Sequence, residues 1–206
     1  MTKQIDLKQD GVEPVWVETA CVQIEGERAL QVTKTERLEE HDIDTIAKVK
    51  DVLFHNGVLE VDMLSRLLPE APAYARGFIG IAFRILPDNT EFESFYLRPT
   101  NGKTEDPVRR KHGCQYFAYP GYTFDYFRRH AIEGFEAPAE IDLNCWMHLK
   151  AVIEDSRAAF YLDGSDTPLL CVDNLKHGGE ARGQIGFFVD TGTEGYFKNL
   201  KVTCWD

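Results

Sequence analysis

Apolar residues recur at every second position over short stretches of this chain, the periodicity of strands packed on one face. In Phe78–Leu86 the residues Ile79, Ile81, Phe83 and Ile85 form one set, and Gly80, Ala82 and Arg84 form the other. Glu91–Arg98 repeats the pattern, with Phe95 and Leu97 on the packed side and Ser94, Tyr96 and Arg98 opposite. Met147, Leu149, Ala151 and Ile153 alternate with Trp146, His148 and Lys150, while Ile185, Phe187 and Val189 alternate with Gln184, Gly186, Phe188 and Asp190. Further strand-like runs lie at 15–18, 21–25, 29–33, 45–50, 57–64, 115–118, 158–162, 169–172 and 195–202. Asp163-Gly164 and the glycines of His177–Gly183 supply hairpin turns between them. Helical periodicity is confined to Tyr122–Glu133, where Phe124, Phe127 and Ala131 fall on one face. The pattern predicts an all-β chain of two packed antiparallel sheets. No linker interrupts it, so residues 1–206 are expected to form one domain.

A chain of 206 residues is ample for a substantial core. Its 23 basic and 34 acidic residues give a net charge of −11, which argues against a nucleic-acid partner or an anionic membrane. No stretch approaches membrane-spanning length, and the first residues lack the apolar run of a signal peptide, so a soluble, cytoplasmic protein is expected. Cys21, Cys114, Cys145, Cys171 and Cys204 are scattered and odd in number, as free thiols in a reducing compartment would be. The six histidines show no metal-ligand spacing, and no cofactor is expected. One turn, Asp190-Thr-Gly-Thr-Glu194, offers oxygens that could hold calcium or simply face water. The oligomeric state is left open.

If the patterned strands are neighbours in one sheet, its non-core face gathers Arg84, Tyr96, Arg98, Trp146, His148, Lys150, Phe188 and Asp190. Flat rings beside forked donors suit a saccharide, whose ring stacks on aromatics while its hydroxyls bond to charged groups. The long, charged loop Thr100–Gly113 follows directly and adds Asn101 to the candidate ligand-binding residues. Its Arg109-Arg110-Lys111 cluster with His112 could clamp an acidic sugar or another anion beside Arg98, or be a solvated loop. The competing reading of the whole face is structural: the same side chains would cover a sheet or hold its loops.

The segments Phe54–Asp62, Gly77–Arg84, Trp146–Ile153, Ala158–Gly164, Gly183–Asp190 and Tyr196–Val202 together resemble, in order, the concanavalin A-like lectin/glucanase superfamily. Within it they look most like bacterial laminin-G-like and 3-keto-disaccharide-hydrolase-like domains. The resemblance implies a jelly-roll β-sandwich that binds, hydrolyses or cleaves a saccharide on its concave sheet. Retaining glucanases of the superfamily carry Glu-x-Asp-x-x-Glu on one strand. Here the similar strand reads Glu60-Val-Asp62-Met-Leu-Ser65, so the second catalytic carboxylate is replaced by Ser65. The binding candidates are then Arg84, Arg98, Asn101, Trp146 and Asp190. In a lyase-like alternative, His148 or Tyr96 would act as general base or acid. A non-enzymatic sandwich that binds a protein partner through loops or edges is the rival class.

Overall fold

A computed structural model of the chain describes residues 2–205. In chain order the strands are β1 (Thr2–Gln4), β2 (Val12–Val15), β3 (Val17–Ile24), β4 (Glu27–Lys34), β5 (Ile46–Phe54), β6 (Asn56–Leu67), β7 (Ile79–Ile85) and β8 (Phe92–Leu97). They continue as β9 (Cys114–Tyr119), β10 (Glu136–Ala137), β11 (Trp146–Glu154), β12 (Arg157–Leu162), β13 (Leu170–Val172), β14 (Gly183–Val189) and β15 (Thr193–Trp205). Short helices α1 (Pro99–Gly102), α2 (Pro107–Arg110) and α3 (Phe124–Arg129) sit in the connections around β9.

The strands form two antiparallel sheets. One has eight strands, in the order β13-β12-β11-β6-β15-β4-β3 with β1 on the far end of β15; the other has seven, β10-β9-β8-β7-β14-β5-β2. Their facing sides are the alternating apolar sets. Ile79, Ile81, Phe83, Phe95, Leu97, Phe187 and Val189 come from the seven-stranded sheet, and Val61, Met63, Met147, Leu149, Ala151 and Phe160 from the other. Phe95 and Phe160 stack across the middle with ring centroids 4.1 Å apart.

The seven-stranded sheet is apolar on its other face as well. Ile46, Ala82, Phe92, Tyr96, Phe117 and Phe188 pack there as a second buried cluster. Gly80 pairs with both Tyr96 and Phe188, and a Cβ there would lie 2.0 Å from the Phe95 carbonyl oxygen. Its bare backbone lets the Tyr96 and Phe188 rings meet, with centroids 5.3 Å apart. Aromatic side chains thus fill the face that alternation leaves polar in most half-exposed sheets.

Two sequence expectations are corrected here. Ile85 does not join Ile79, Ile81 and Phe83 but packs with Ala82 and Phe92 on the opposite face. A register shift between Gln184 and Gly186 sets Phe83 and Arg84 together against Ile185, and Arg84 adopts φ 55. This β-bulge reverses the alternation after it. The second correction concerns sheet membership. Trp146, His148 and Lys150 belong to β11, which pairs with β6 and β12 in the eight-stranded sheet, so they do not share a face with Tyr96, Arg98 and Asp190. Alternation fixes which side of a strand faces the core, whereas sheet membership depends on pairing with strands distant in sequence.

Replacing Phe160 with Ala should remove the ring that joins the two sheets and lower stability by roughly 3–5 kcal/mol. Urea denaturation followed by tryptophan fluorescence measures this directly.

Candidate functional site

A cavity of about 350 Å³ opens at the end of the seven-stranded sheet, where β8 runs into α1. Pro99 lacks an N–H for further pairing and opens the helix, so the strand stops with Arg98 at its tip. Asp106 caps α2, accepting hydrogen bonds from Val108 N at 2.9 Å and Arg109 N at 3.2 Å. Thr123 caps α3 through Tyr126 N at 3.4 Å. These turns bring Asn101, Arg109, Phe124 and Arg128 around the cavity, while Tyr74, Arg76 and Phe78 close it from the connection before β7.

Arg98 is the buried cation of the floor, 5 % exposed. Its NH2 donates to the Tyr96 hydroxyl at 2.8 Å and to Gln115 Oε1, and its NH1 donates to Glu136 Oε1 at 2.7 Å. Glu136 also accepts from Arg128 NH2 at 2.6 Å. Burial would raise the Glu136 carboxyl, but Arg128 and Arg98 bring it below the usual carboxylate range. His112 Nδ1 lies 3.1 Å from Glu136 Oε2 without a hydrogen-bonding alignment. The His112 carbonyl accepts from Asn101 Nδ2 at 2.8 Å, and Arg109 Nε donates to Asn101 Oδ1 at 3.1 Å.

The opposite pole is acidic. Asp190 accepts from buried Lys34 Nζ at 2.8 Å and from Asp42 N at 3.2 Å. Asp42 is 1 % exposed and accepts from Phe124 N at 2.9 Å. Burial, together with the Asp190 charge, pushes its carboxyl up to about 6 against the pull of the Phe124 N–H. Tyr96 neighbours this carboxyl, and burial lifts its phenol well above the usual range, so the hydroxyl keeps its proton.

Six of the residues singled out from sequence meet here: Tyr96, Arg98, Asn101, Arg109, His112 and Asp190 line one cavity. Arg84 does not. Its guanidinium donates to the carbonyls of His55, Gly178 and Asp155 and to Asn56 Oδ1, holding loops at another end of the sandwich. Trp146 and His148 stand on the outer face of the eight-stranded sheet. There His148 Nδ1 contacts Asp62 Oδ1 at 2.6 Å, Asn199 donates to Asp62 Oδ2 at 2.7 Å, and Trp146 Nε1 donates to Glu25 Oε2 at 3.0 Å. In the turn considered for calcium, Asp190 already binds Lys34, and Glu194 accepts from Gln31 Nε2 at 2.5 Å. Sequence reasoning missed Asp42, Arg76, Phe124 and Glu136. The one available signal for Asp42 was an apolar Ile43 set among acids in His41–Asp44.

No family model matches the chain, and no curated protein matches it in sequence. Solved structures do match it in shape. A carbohydrate binding module, CBM66 from Bacillus subtilis, has a TM-score of 0.64 at 19% identity, over 94% of this chain and 96% of that one. A putative glycosyl hydrolase from Parabacteroides distasonis has a TM-score of 0.56 at 14% identity, with 100% of both chains covered. A Bacillus subtilis protein with a galectin-like fold has a TM-score of 0.52 at 13% identity, over 90% of this chain and 87% of that one. These likenesses extend over most of the chain and show its fold, a jelly-roll β-sandwich of two antiparallel sheets.

Asp42 carries a pH signature. Its carboxyl titrates near 3.8 when exposed and at about 6 in the fold, so the folded chain binds the extra proton between those values. The resulting penalty is absent below that window, grows through it and is complete above about 6. Asp42→Asn should therefore stabilise the fold at about pH 7.5 by on the order of 1–3 kcal/mol, with the gain shrinking toward pH ~4. Paired denaturation curves at the two pH values check it.

Proposed function

We propose that the cavity at the end of the seven-stranded sheet binds a saccharide. The observation that carries this reading is a buried carboxyl, Asp42, and a buried guanidinium, Arg98, lining one cavity with the aromatic residues Tyr74, Phe78 and Phe124. A sugar hydroxyl donates to the first, accepts from the second, and turns its C–H faces toward rings. A carboxylate takes about four hydrogen bonds, and the Phe124 N–H supplies one, so Asp42 retains acceptor capacity. The volume suits one or two sugar rings, at the lower end of the roughly 300–1,000 Å³ typical of ligand pockets. Similarity in fold to a carbohydrate binding module supports the same class.

We read the pocket as a binding site rather than a hydrolytic one. Both hydrolytic geometries need two carboxyl groups working across the scissile bond. Asp190 is engaged by Lys34 Nζ, Asp42 N and Thr191 N, which leaves Asp42 without a free partner in the cavity.

Calorimetry against a panel of mono- and disaccharides tests this. A saccharide should bind to the parent protein, and Asp42→Ala should weaken it by roughly tenfold or more. Trp146→Ala should leave it unchanged. Binding lost with Trp146→Ala and kept in Asp42→Ala would move the site to the other sheet, and no binding across the panel would end the saccharide reading.

A further inference from the structure

We infer that the saccharide this pocket takes is an acidic one, and that Arg76 with Arg109 receives its carboxylate. The inference rests on the saccharide reading of the same cavity and adds the chemical class of the ligand.

The chain as a whole carries −11, yet Arg76, Arg98, Arg109 and Arg128 line this cavity against two aspartates, Asp42 and Asp190. Internal pairing does not balance them. Lys34 answers Asp190, and the single carboxylate of Glu136 is shared by Arg98 and Arg128. Arg109 spends its guanidinium on neutral acceptors, the Asn101 side chain and Thr100.

Arg76 is the least answered of the four. Its NH1 donates to the carbonyls of Ala73 and Ala75, both at 2.8 Å. Among the described residues it has no carboxylate partner, and its Nε and NH2 make no hydrogen bond to the protein. The acid that acts on it, Asp106, is already bonded to the N–H groups at the start of α2. Burial first, and then Arg109 and Arg98, hold the Arg76 guanidinium below its usual range. An anion arriving there would relieve that crowding.

The lining of the cavity therefore has two poles. One is Asp42, which feels Asp190, Arg98 and Tyr96; the other is Arg76, which feels Arg109 and Arg98. A neutral sugar would satisfy the acidic pole and leave the basic one unanswered. A bare anion would satisfy the basic pole and bring the buried Asp42 no donor beyond the Phe124 N–H. A sugar acid carries both complements on one ring, hydroxyls for Asp42 and a planar carboxylate for the forked guanidinium.

Calorimetry with D-glucuronate and D-galacturonate against D-glucose and D-galactose tests the class, with acetate and galactose 6-sulfate as further arms. The uronates should bind roughly tenfold or more tighter than their neutral counterparts. That preference should shrink as salt rises from about 50 to about 500 mM. Arg76→Gln should collapse the ratio of uronate to neutral affinity toward one, and Arg76→Lys should restore part of it, with melting curves reporting that both variants fold. Neutral sugars binding as tightly as uronates would overturn the inference and leave the saccharide reading intact. Binding by none of the sugars would overturn both. Acetate matching glucuronate, or the sulfated sugar outcompeting it, would overturn the assignment of a sugar carboxylate.

Discussion

A guanidinium withdrawn from water costs several kcal/mol unless acceptors meet it, and the arrangement of this site follows from meeting Arg98 at the tip of β8. Tyr96 and Gln115 hold one of its nitrogens, which ties β8 to β9. Glu136 holds the other and at the same time grips Arg128 of α3. With α3 placed in this way, Phe124 N reaches Asp42, whose own N–H reaches Asp190 at the end of β14. A continuous run of charged and polar contacts thus links the basic and acidic poles. Loss of Glu136 would therefore disturb Asp42 as well as Arg98, although the two never touch.

The two sheets divide the work. The outer face of the eight-stranded sheet mixes an apolar cluster around Leu64 and Tyr196 with polar groups that are answered by one another: His148 by Asp62, Asp62 by Asn199, and Trp146 by Glu25 and by Lys198 Nζ at 4.0 Å from its ring. The seven-stranded sheet buries an apolar cluster on each face, and the charged side chains of the site collect where β8 and β14 end and loops begin. A cavity at strand ends, walled by α1, α2 and α3, is the consequence.

Period-two alternation made most strands and the inner core legible from sequence, because one buried face leaves that imprint on every strand. The short helix within Tyr122–Glu133 and the bordering loop Thr100–Gly113 were legible for similar reasons of pattern and punctuation. Tyr96, Arg98, Asn101 and Asp190 could be chosen because three lie at strand positions opposite the packed set or just past a strand end, and one lies in the loop that follows. Asp42 could not. It sits in an irregular connection, and its burial depends on Asp190, 148 positions away, and on Phe124, 82 positions away. Arg84, Trp146 and His148 were grouped with the site because alternation is local, whereas the bulge at Arg84 and the pairing of β11 with β6 are not. Arg76 has no periodic signature at all, and its significance lies in which partners it lacks.

The most direct measurement is a crystal structure of the protein with a bound saccharide. One sugar ring is expected in the cavity at the end of the seven-stranded sheet, with hydroxyl oxygens within about 3.2 Å of the Asp42 carboxyl and the Arg98 guanidinium. A ring lying instead on the outer face of the eight-stranded sheet, against Trp146 and beside His148, would contradict it.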